Sequence, residues 1–312
     1  MDLQLDIKEN AIDSFDEALV KFEQGEQGNG RAYKFAILHI THFIELVLKM
    51  YVIRYDENLV FVKCFNVVKN RARADKTNYL KAYLQLAEEN YDFSEQVKDL
   101  TYKATIKVED ALQMAQFEAC QRTRIAFVDE EFIDDINWMK ALRNDIEHYH
   151  FQLSKKEVRL CIGRLVRGVY EFIDNFSLFD FEKDISKEKK HVFEMLADEY
   201  AQSVQEAKTE VREKEQEAFR GVRPKHYQFV GWNVYVCSEC QNNTIIPNEE
   251  SETGYRCTFC GNEESDEIEV ACDSCGALCA NGEMERWPMD DDTYEYRCYH
   301  CSGQSAADRD RD

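Results

Sequence analysis

The residues best suited to chemistry are eight cysteines near the end of this sequence. The chain has 312 residues and 12 cysteines, and eight of these form four Cys-x2-Cys pairs. The pairs are Cys237/Cys240, Cys257/Cys260, Cys272/Cys275 and Cys298/Cys301. Because such a pair places two thiolates on one tetrahedral metal ion, two pairs close a four-cysteine site. We therefore predict two zinc ions per chain, each holding a small module that has too little core to fold alone.

The spacing of the pairs favours sequential grouping, first with second and third with fourth. Sixteen residues separate Cys240 from Cys257, within the usual window of a zinc ribbon, and 22 separate Cys275 from Cys298. Sequential grouping closes two short loops and so loses less chain entropy than interleaved grouping. Interleaved grouping, an iron–sulfur cluster and a disulfide framework are the alternatives. Cys279 is either a spare thiol or a replacement ligand.

A second group of reactive residues lies in the segment 142–151, Leu-Arg-Asn-Asp-Ile-Glu-His-Tyr-His-Phe. At about 100° per residue, a helix here has one apolar face and one polar face. The predicted core face comprises Met139, Leu142, Ile146, Tyr149 and Leu153. The predicted outward face comprises Arg143, Asn144, Glu147, His148 and Phe151. A Phe among charged residues is expected where such a face meets another subunit.

The outward face has the residue types needed to cleave RNA without a metal ion. A histidine such as His148 acts as general acid or base near neutral pH. Arg143 can grip the scissile phosphate and stabilise its growing charge, and Asn144 is placed to orient the imidazole. Arg143 and His148 are about 140° apart on an ideal helix, so two copies facing each other would make a composite site. The alternative is an ordinary ion pair between Arg143 and Glu147, with His148 on the surface.

The helical part, residues 5–178, resembles the HEPN-domain family of small helical bundles, which includes many prokaryotic toxin and phage-defence ribonucleases. The family signature is an Arg, four to six residues and then a His, often with Asn, Asp or His after the Arg. Arg143-Asn144 and His148 meet it with four intervening residues. The stretch from His39 to Lys49, with Glu45 between them, resembles the family's long, acid-bearing second helix.

The resemblance implies a metal-independent endoribonuclease that is a homodimer, takes RNA as substrate and uses attack by the 2′-hydroxyl. In that role Arg143 stabilises the phosphate, His148 moves the proton and Asn144 positions it. It also implies a place in phage defence or toxin-type growth control, and that Glu45 reaches this site. The second hypothesis is a non-catalytic dimeric adaptor whose acidic zinc ribbons bind a protein partner.

The second-helix residues His39, His42 and Glu45 stand about one turn apart. That spacing permits a metal-binding face on a helix. The commoner role of such residues is as polar groups in the core or at a subunit contact.

The elements that must position these residues are helices. No glycine occurs between Gly30 and Gly163, and all three prolines lie at or beyond Pro224, so the intervening chain is predicted to be helical. The predicted helices are Leu5–Glu23, Arg31–Tyr55, Thr77–Glu89, Val108–Ala126, Phe132–Phe151 and Lys155–Asn175. A long charged helix is predicted over 186–220, and an entry strand over Tyr227–Val236.

The predicted fold class is therefore mainly α. The expected domains are a HEPN-like helical bundle (1–180), a charged linking helix (181–225), two small β-type zinc ribbons (226–265 and 266–303) and a disordered tail (304–312).

The charge of the chain is uneven and bears on its partners. The net charge is −22, and residues 231–312 carry 5 basic and 19 acidic residues, giving −14. Ribbons this acidic disfavour non-specific nucleic-acid binding, so a protein partner is expected there, with a merely solvated surface as the alternative.

Other features exclude several protein classes. No uninterrupted apolar run has membrane-spanning length, and no Gly-rich loop supports ATP use. The start, Met1-Asp-Leu, has neither the basic region nor the apolar run of a signal peptide. We expect a cytoplasmic protein with reduced thiols and no membrane association.

Overall fold

The computed structural model describes residues 6–98, 104–119, 126–148, 153–251, 253–289 and 294–303. The fold is mainly α, as predicted, and the small antiparallel sheets lie near the C-terminus. The chain forms two compact units, Met1–Ala201 and Gln202–Asp312. The predicted tail, 304–312, lies outside the described residues.

The first unit is built from helices. They are α1 (Ile7–Glu26), α2 (Gly30–Ile53), α3 (Val62–Ala74), α4 (Tyr79–Glu88), α5 (Val108–Ala115), α6 (Glu130–His148), α7 (Lys155–Phe176) and the single turn α8 (Phe181–Asp184). Helix α9 (Lys187–Ala218) begins in this unit and ends in the second. Short 3-10 turns cover Glu57–Val60 and Phe93–Gln96.

Two of these helices begin at reciprocal side-chain caps. At α1, Glu9 N–H donates to Asp6 Oδ1 at 2.7 Å, and Asp6 N–H donates to Glu9 Oε2 at 3.0 Å. At α7, Ser154 and Glu157 make the same exchange. Each arrangement satisfies two backbone donors that a helix start otherwise leaves unpaired. The sequence therefore fixes where α7, which follows the Arg143 segment, begins.

Helix α2 is the centre of the hydrophobic core, and α1, α5, α6 and α7 pack around it. Phe15 of α1 lies 5.0 Å from Phe43 of α2, measured between ring centroids. By length and composition alone α2 is apolar enough to cross a membrane, but 72% of its most apolar window is buried inside the protein. A core helix has the same composition because both of its sides meet apolar neighbours.

Two sequence predictions need correction, and one helix lacked predicted bounds. Helix α3 lies in the stretch predicted to be helical but was not among the named helices; Cys64, Phe65 and Val68 bury its apolar face. The predicted helix Val108–Ala126 ends at Ala115. Beyond that end, Glu118 accepts hydrogen bonds from the hydroxyls of Tyr51, in α2, and Tyr55, just after α2. These tertiary bonds outweigh helix propensity, which is a weak preference.

The predicted entry strand is mostly wrong, because Pro224–Phe229 is a 3-10 helix and the strand comprises only Tyr235–Val236.

The long charged helix predicted over 186–220 is confirmed as α9. Its first half is not a free linker. Phe193 and Leu196 are fully buried in the core of the first unit, where the Leu196 carbonyl packs so closely against Gly163 of α7 that a Cβ there would lie 2.1 Å from it.

The second unit contains short antiparallel strands. One sheet has β1 (Tyr235–Val236), β2 (Asn243–Pro247) and β3 (Tyr255–Cys257) in that order. Two hairpins follow, β4 (Glu269–Ala271) with β5 (Leu278–Ala280), and β6 (Glu285–Pro288) with β7 (Tyr294–Arg297). Each element is too short to bury a core of its own, so the unit depends on the groups held between the strands.

Candidate functional site

A line of polar side chains crosses the otherwise apolar helix α2. His39, His42, Glu45 and Lys49 recur at three- and four-residue steps and therefore share one face. The three N-terminal members are partly exposed, whereas Lys49 is buried. Because a buried polar group is costly without a partner, each member must find one on a neighbouring element.

Glu45 links α2 to α6. One carboxylate oxygen accepts a hydrogen bond from Lys49 Nζ at 2.6 Å, and the other accepts one from Arg143 Nη1 at 3.1 Å. Lys49 Nζ also donates to Thr105 Oγ1 at 3.0 Å. The Glu45 carboxylate is therefore shared between a buried ammonium and a guanidinium. Glu45 does reach Arg143, as the family resemblance implied.

These contacts keep the charges in place. Burial alone would raise the pKa of Glu45, but the hydrogen bond and charge of Lys49, and then Arg143, outweigh it and lower that pKa. For Arg143, burial acts to lower the pKa, but the hydrogen bonds and charges of Glu147 and Glu45 raise it overall. Both groups are thus ionised near neutral pH.

His42 has a different environment from the residues around it. Its Nδ1 lies 2.8 Å from Ser14 Oγ of α1, within hydrogen-bonding distance. Burial lowers the pKa of His42, opposed in part by the charge of Glu45. With His42 bonded to Ser14 and Glu45 engaged by two cations, the contacts favour the polar core role over the metal-binding face that the sequence also permitted.

Arg143 and His148 are connected through Glu147. Arg143 Nε donates to Glu147 Oε1 at 3.1 Å, and Glu147 Oε2 lies 4.0 Å from His148 Nε2. The side chains of Arg143 and His148 are 42% and 67% exposed. Of the five N–H donors of a guanidinium, two are used in these contacts to Glu45 and Glu147. Both the cation and the imidazole are therefore accessible to a ligand.

The structure places the other predicted residues of this segment as follows. Met139 and Ile146 are buried, as predicted for the core face. Asn144 is exposed, and among the described residues it forms no hydrogen bond with His148. The Arg143–Glu147 pair is also the ion pair of the alternative interpretation. Tyr149, His150 and Phe151 lie outside the described residues.

Three residues of this site were not predicted: Ser14, Lys49 in its role as partner of Glu45, and Thr105. The four-residue spacing of Glu45 and Lys49 signalled their pairing. Nothing in the sequence signalled Ser14 or Thr105, because both come from distant segments that the fold brings to α2.

The cysteines form two separate clusters in the second unit. One has Cys237, Cys240, Cys257 and Cys260, and the other has Cys272, Cys275, Cys298 and Cys301; within each, the four sulfur atoms lie within 4.8 Å of one another. This is the sequential grouping. Among the described residues, only these two groups have the geometry of a metal site.

The sulfur–sulfur distances fit a tetrahedral metal ion. They are 3.6 Å for Cys237 and Cys260, 3.7 Å for Cys240 and Cys257, and 3.8 Å for Cys275 and Cys298. A tetrahedral ion with bonds of about 2.3 Å to sulfur separates its ligands by about 3.8 Å. A disulfide needs about 2.05 Å. The clusters are therefore suited to metal binding and not to disulfide bonding.

Backbone turns hold the thiols of the first cluster inward. The N–H of Gln241 donates to the carbonyl of Cys237, and that of Gly261 donates to the carbonyl of Cys257, both at 2.9 Å. Gln241 and Gly261 have positive φ angles, 57° and 82°, which turn the chain back after the second cysteine of each pair. Gly276 follows Cys275 with φ 74° in the same way. Glycine adopts this conformation without strain.

Hydrogen bonds to sulfur favour the thiolate form that a metal needs. The Cys298 N–H donates to the Cys272 sulfur at 3.4 Å and lowers the pKa of Cys272 to about 6. Asn262 Nδ2 donates to the Cys237 sulfur at 3.4 Å. Such outer contacts orient ligands and tune their basicity.

Cys279 lies outside both clusters. It pairs with Val270 across the β4–β5 hairpin and packs, partly buried, beside the second cluster. Its role was left open by the sequence, and the structure assigns the four positions of the second cluster to other cysteines. His300 lies in the turn between Cys298 and Cys301, outside the ligand set.

Comparison with known proteins identifies no matching family model, no matching curated protein and no matching solved structure.

The cysteine clusters predict the metal content of the chain. The purified protein should carry about two metal ions per chain, because each cluster offers a complete four-sulfur set. Cys301→Ser removes one ligand from the second cluster and should reduce the content to about one ion. The measurement is elemental mass spectrometry of the desalted protein.

Cys279→Ser is the matched control, since it replaces a neighbouring thiol that is not in the ligand set. It should keep about two ions per chain. Fewer than one ion in the unaltered protein, or loss of an ion from Cys279→Ser, would contradict the assignment.

Because Glu45 is ionised and paired, we predict that its contribution to the free energy of unfolding depends on pH. Glu45→Gln leaves Lys49 buried without its anion and should lower the free energy of unfolding by about 2 kcal/mol near pH 7, less than for a fully buried pair because Glu45 is partly exposed. A lowered pKa means that Glu45 stabilises the fold above its unfolded pKa and loses that effect as pH falls through the folded value. The difference between variant and unaltered protein should therefore shrink below about pH 4.

The measurement is urea unfolding, monitored by far-UV circular dichroism, near pH 7 and below about pH 4. Glu109→Gln is the control, because Glu109 also pairs with α6, through Lys140, but both side chains are about one-third exposed. It should change stability by less than about 1 kcal/mol. Equal effects of the two substitutions near pH 7 would refute the special role of Glu45.

Proposed function

We propose that the first unit is a metal-independent endoribonuclease of the HEPN type, with Arg143 and His148 as its catalytic residues. One observation carries this proposal. Arg143 is anchored by Glu45 and Glu147 on an exposed face that also presents His148. The anchored guanidinium and the accessible imidazole are the two groups that phosphodiester cleavage by an internal nucleophile requires.

The chemistry divides between these side chains. His148 takes the proton from the 2′-hydroxyl, whose oxygen attacks the adjacent phosphorus. The bond from phosphorus to the 5′-oxygen breaks, and that oxygen receives a proton as it leaves. The products are a 2′,3′-cyclic phosphate and a 5′-hydroxyl end, so no water or metal ion is consumed. Arg143 neutralises the charge that builds on the non-bridging oxygens.

Glu45 and Glu147 act on Arg143 and not on the substrate. Fixing two of its N–H groups orients the guanidinium before RNA arrives, which avoids reorganisation during the reaction. The three remaining donors suit a phosphate, which accepts parallel hydrogen bonds from arginine.

A homodimer completes the proposed site. Among the described residues of α6, His148 is the one imidazole on this face, whereas the reaction needs a base for the 2′-hydroxyl and an acid for the 5′-oxygen. Two copies of α6 facing each other would place one His148 on each side of the phosphate. His148 is the last residue of α6 and is mostly exposed, which leaves it free to face a second copy.

Zinc is the proposed metal of the cysteine clusters. Four thiolates in a tetrahedral set favour zinc over magnesium or calcium, which prefer oxygen ligands. With all four positions taken by protein, such an ion is structural and leaves no site for substrate. The clusters hold the second unit together and supply no step of the RNA cleavage.

A second candidate function is that of an adaptor, and the exposed apolar side chains of the second ribbon favour it. Leu278, Met289 and Tyr294 are 65%, 56% and 59% exposed in a region of net charge −14. Apolar groups within an acidic surface suit docking of a basic protein partner. Such docking is compatible with the nuclease and becomes the sole function if cleavage is absent.

The proposed nuclease predicts the effect of one substitution. His148→Ala should slow cleavage of total RNA in EDTA by about 100-fold or more, because it removes the proton-transfer group. The unaltered protein should leave 2′,3′-cyclic phosphate ends, which resist a phosphatase until mild acid opens the cyclic ester to a monophosphate. The bound metal is measured in the same samples, since a chelator can strip the clusters.

His191→Ala is the matched control, because His191 is an exposed histidine on α9 of the same unit. It should cleave RNA as the unaltered protein does. Equal activity of His148→Ala and His191→Ala, with metal retained, would overturn the catalytic role of His148.

A further inference from the structure

A cleft lies where helices α2 and α7 begin. It has a volume of about 540 Å³ and is lined by residues of the first turns of both helices and by Leu153. We call it the α2–α7 cleft. Its charged lining residues are Arg31, Lys34 and Lys155. Among the described residues, no acidic side chain lines it.

The charges of the cleft are available to a ligand. Arg31 and Lys34 are exposed and form no ion pair with any described residue. Lys155 pairs with Glu26 at 2.8 Å but keeps 57% of its side chain exposed. The chain has a net charge of −22, but this surface has three basic and no acidic lining residues. It fits a polyanion and repels a basic partner.

An aromatic ring stands among these cations. Phe35 lines the cleft and is 41% exposed, although α2 is otherwise the core helix. Tyr33, whose hydroxyl donates to Glu26 at 2.7 Å, forms another part of the wall. Basic side chains that track a phosphate backbone, together with a ring that accepts a base, are the two components of single-strand binding.

The cleft and the proposed active site both adjoin one face of α2. Phe35 precedes His39 by one turn and His42 by two, so the three share the face that leads to Glu45 and Arg143. The cleft residue Leu153 follows His148 by five positions. A strand whose scissile phosphate lies at Arg143 and His148 can therefore reach the cleft a few nucleotides away.

We propose that the α2–α7 cleft is an RNA-binding subsite, in which Arg31, Lys34 and Lys155 contact phosphates and Phe35 stacks on an unpaired base. This proposal also identifies single-stranded RNA as the substrate of the proposed nuclease, and in that respect it rests on the proposed function. Duplex RNA is a poor ligand, because its bases are already stacked and cannot reach Phe35.

Binding is measured with the full chain carrying His148→Ala, which prevents turnover. The probe is a fluorescein-labelled single-stranded RNA of mixed sequence, roughly 20 nucleotides long. Its fluorescence anisotropy reports binding and is measured at several salt concentrations. Adding Phe35→Ala should weaken binding at least about fivefold, the lower value for loss of one base stack. Adding Arg31→Glu and Lys34→Glu should weaken binding further and reduce the salt slope by about one to two.

Matched controls come from the same unit. Phe117 is 51% exposed, and Lys63 and Lys81 are exposed lysines of α3 and α4. Phe117→Ala and the pair Lys63→Glu and Lys81→Glu should leave binding within about twofold. Circular dichroism verifies that each variant folds. Equal losses from cleft and control variants would overturn the subsite, because only net charge or exposed area would then matter.

Two further outcomes would also overturn it. Unchanged binding in the cleft variants means that RNA lies elsewhere. If Phe35→Ala instead converts a dimer to a monomer in sedimentation analysis, the cleft is a contact between two copies of the chain.

Failure of the subsite and failure of the nuclease are distinguishable. Cleavage by the unaltered protein, together with normal binding in the cleft variants, refutes the subsite alone. Binding that depends on Phe35, Arg31 and Lys34 without cleavage by the unaltered protein refutes the nuclease alone and supports the subsite.

Discussion

The first unit depends on one constraint: helix α2 is surrounded by apolar neighbours but carries a line of polar side chains. A buried carboxylate or ammonium is costly unless it is paired. Glu45 and Lys49 meet that requirement together, and Arg143 of α6 completes it. The pairing links α6 to α2, and it also orients the guanidinium that the proposed reaction uses. Stability and the proposed function thus involve the same carboxylate.

The second unit is held by a different kind of interaction. The buried cluster of its first ribbon consists of Cys237, Cys240, Cys257 and a single isoleucine, Ile245. That of its second ribbon consists of Cys272, Met284 and Cys298. Since the ligands themselves form most of each core, hydrophobic burial cannot stabilise these ribbons alone. A metal ion held by each four-cysteine cluster would supply the missing free energy.

Much of this could be predicted from the sequence, for physical reasons that differ between the units. The Cys-x2-Cys spacing is a local property, so the sequential clusters were predictable. Helices α1, α2, α6, α7 and α9 follow from apolar periodicity and the absence of proline before residue 224. The end of α5 was not predictable, because just beyond it Glu118 accepts hydrogen bonds from two tyrosine hydroxyls that are distant in the sequence. Ser14 and Thr105 entered the polar site for the same reason, through contacts that only the tertiary fold creates.

The proposed reaction is cleavage of RNA at the face formed by Arg143 and His148, with the 2′-hydroxyl of the RNA as nucleophile. The most direct measurement compares an unmodified single-stranded RNA with the same sequence carrying 2′-O-methyl groups, both incubated with the unaltered protein in EDTA. We expect cleavage of the unmodified strand alone, because methylation removes the attacking nucleophile. Equal cleavage of both strands, or no cleavage of the unmodified strand, would contradict it.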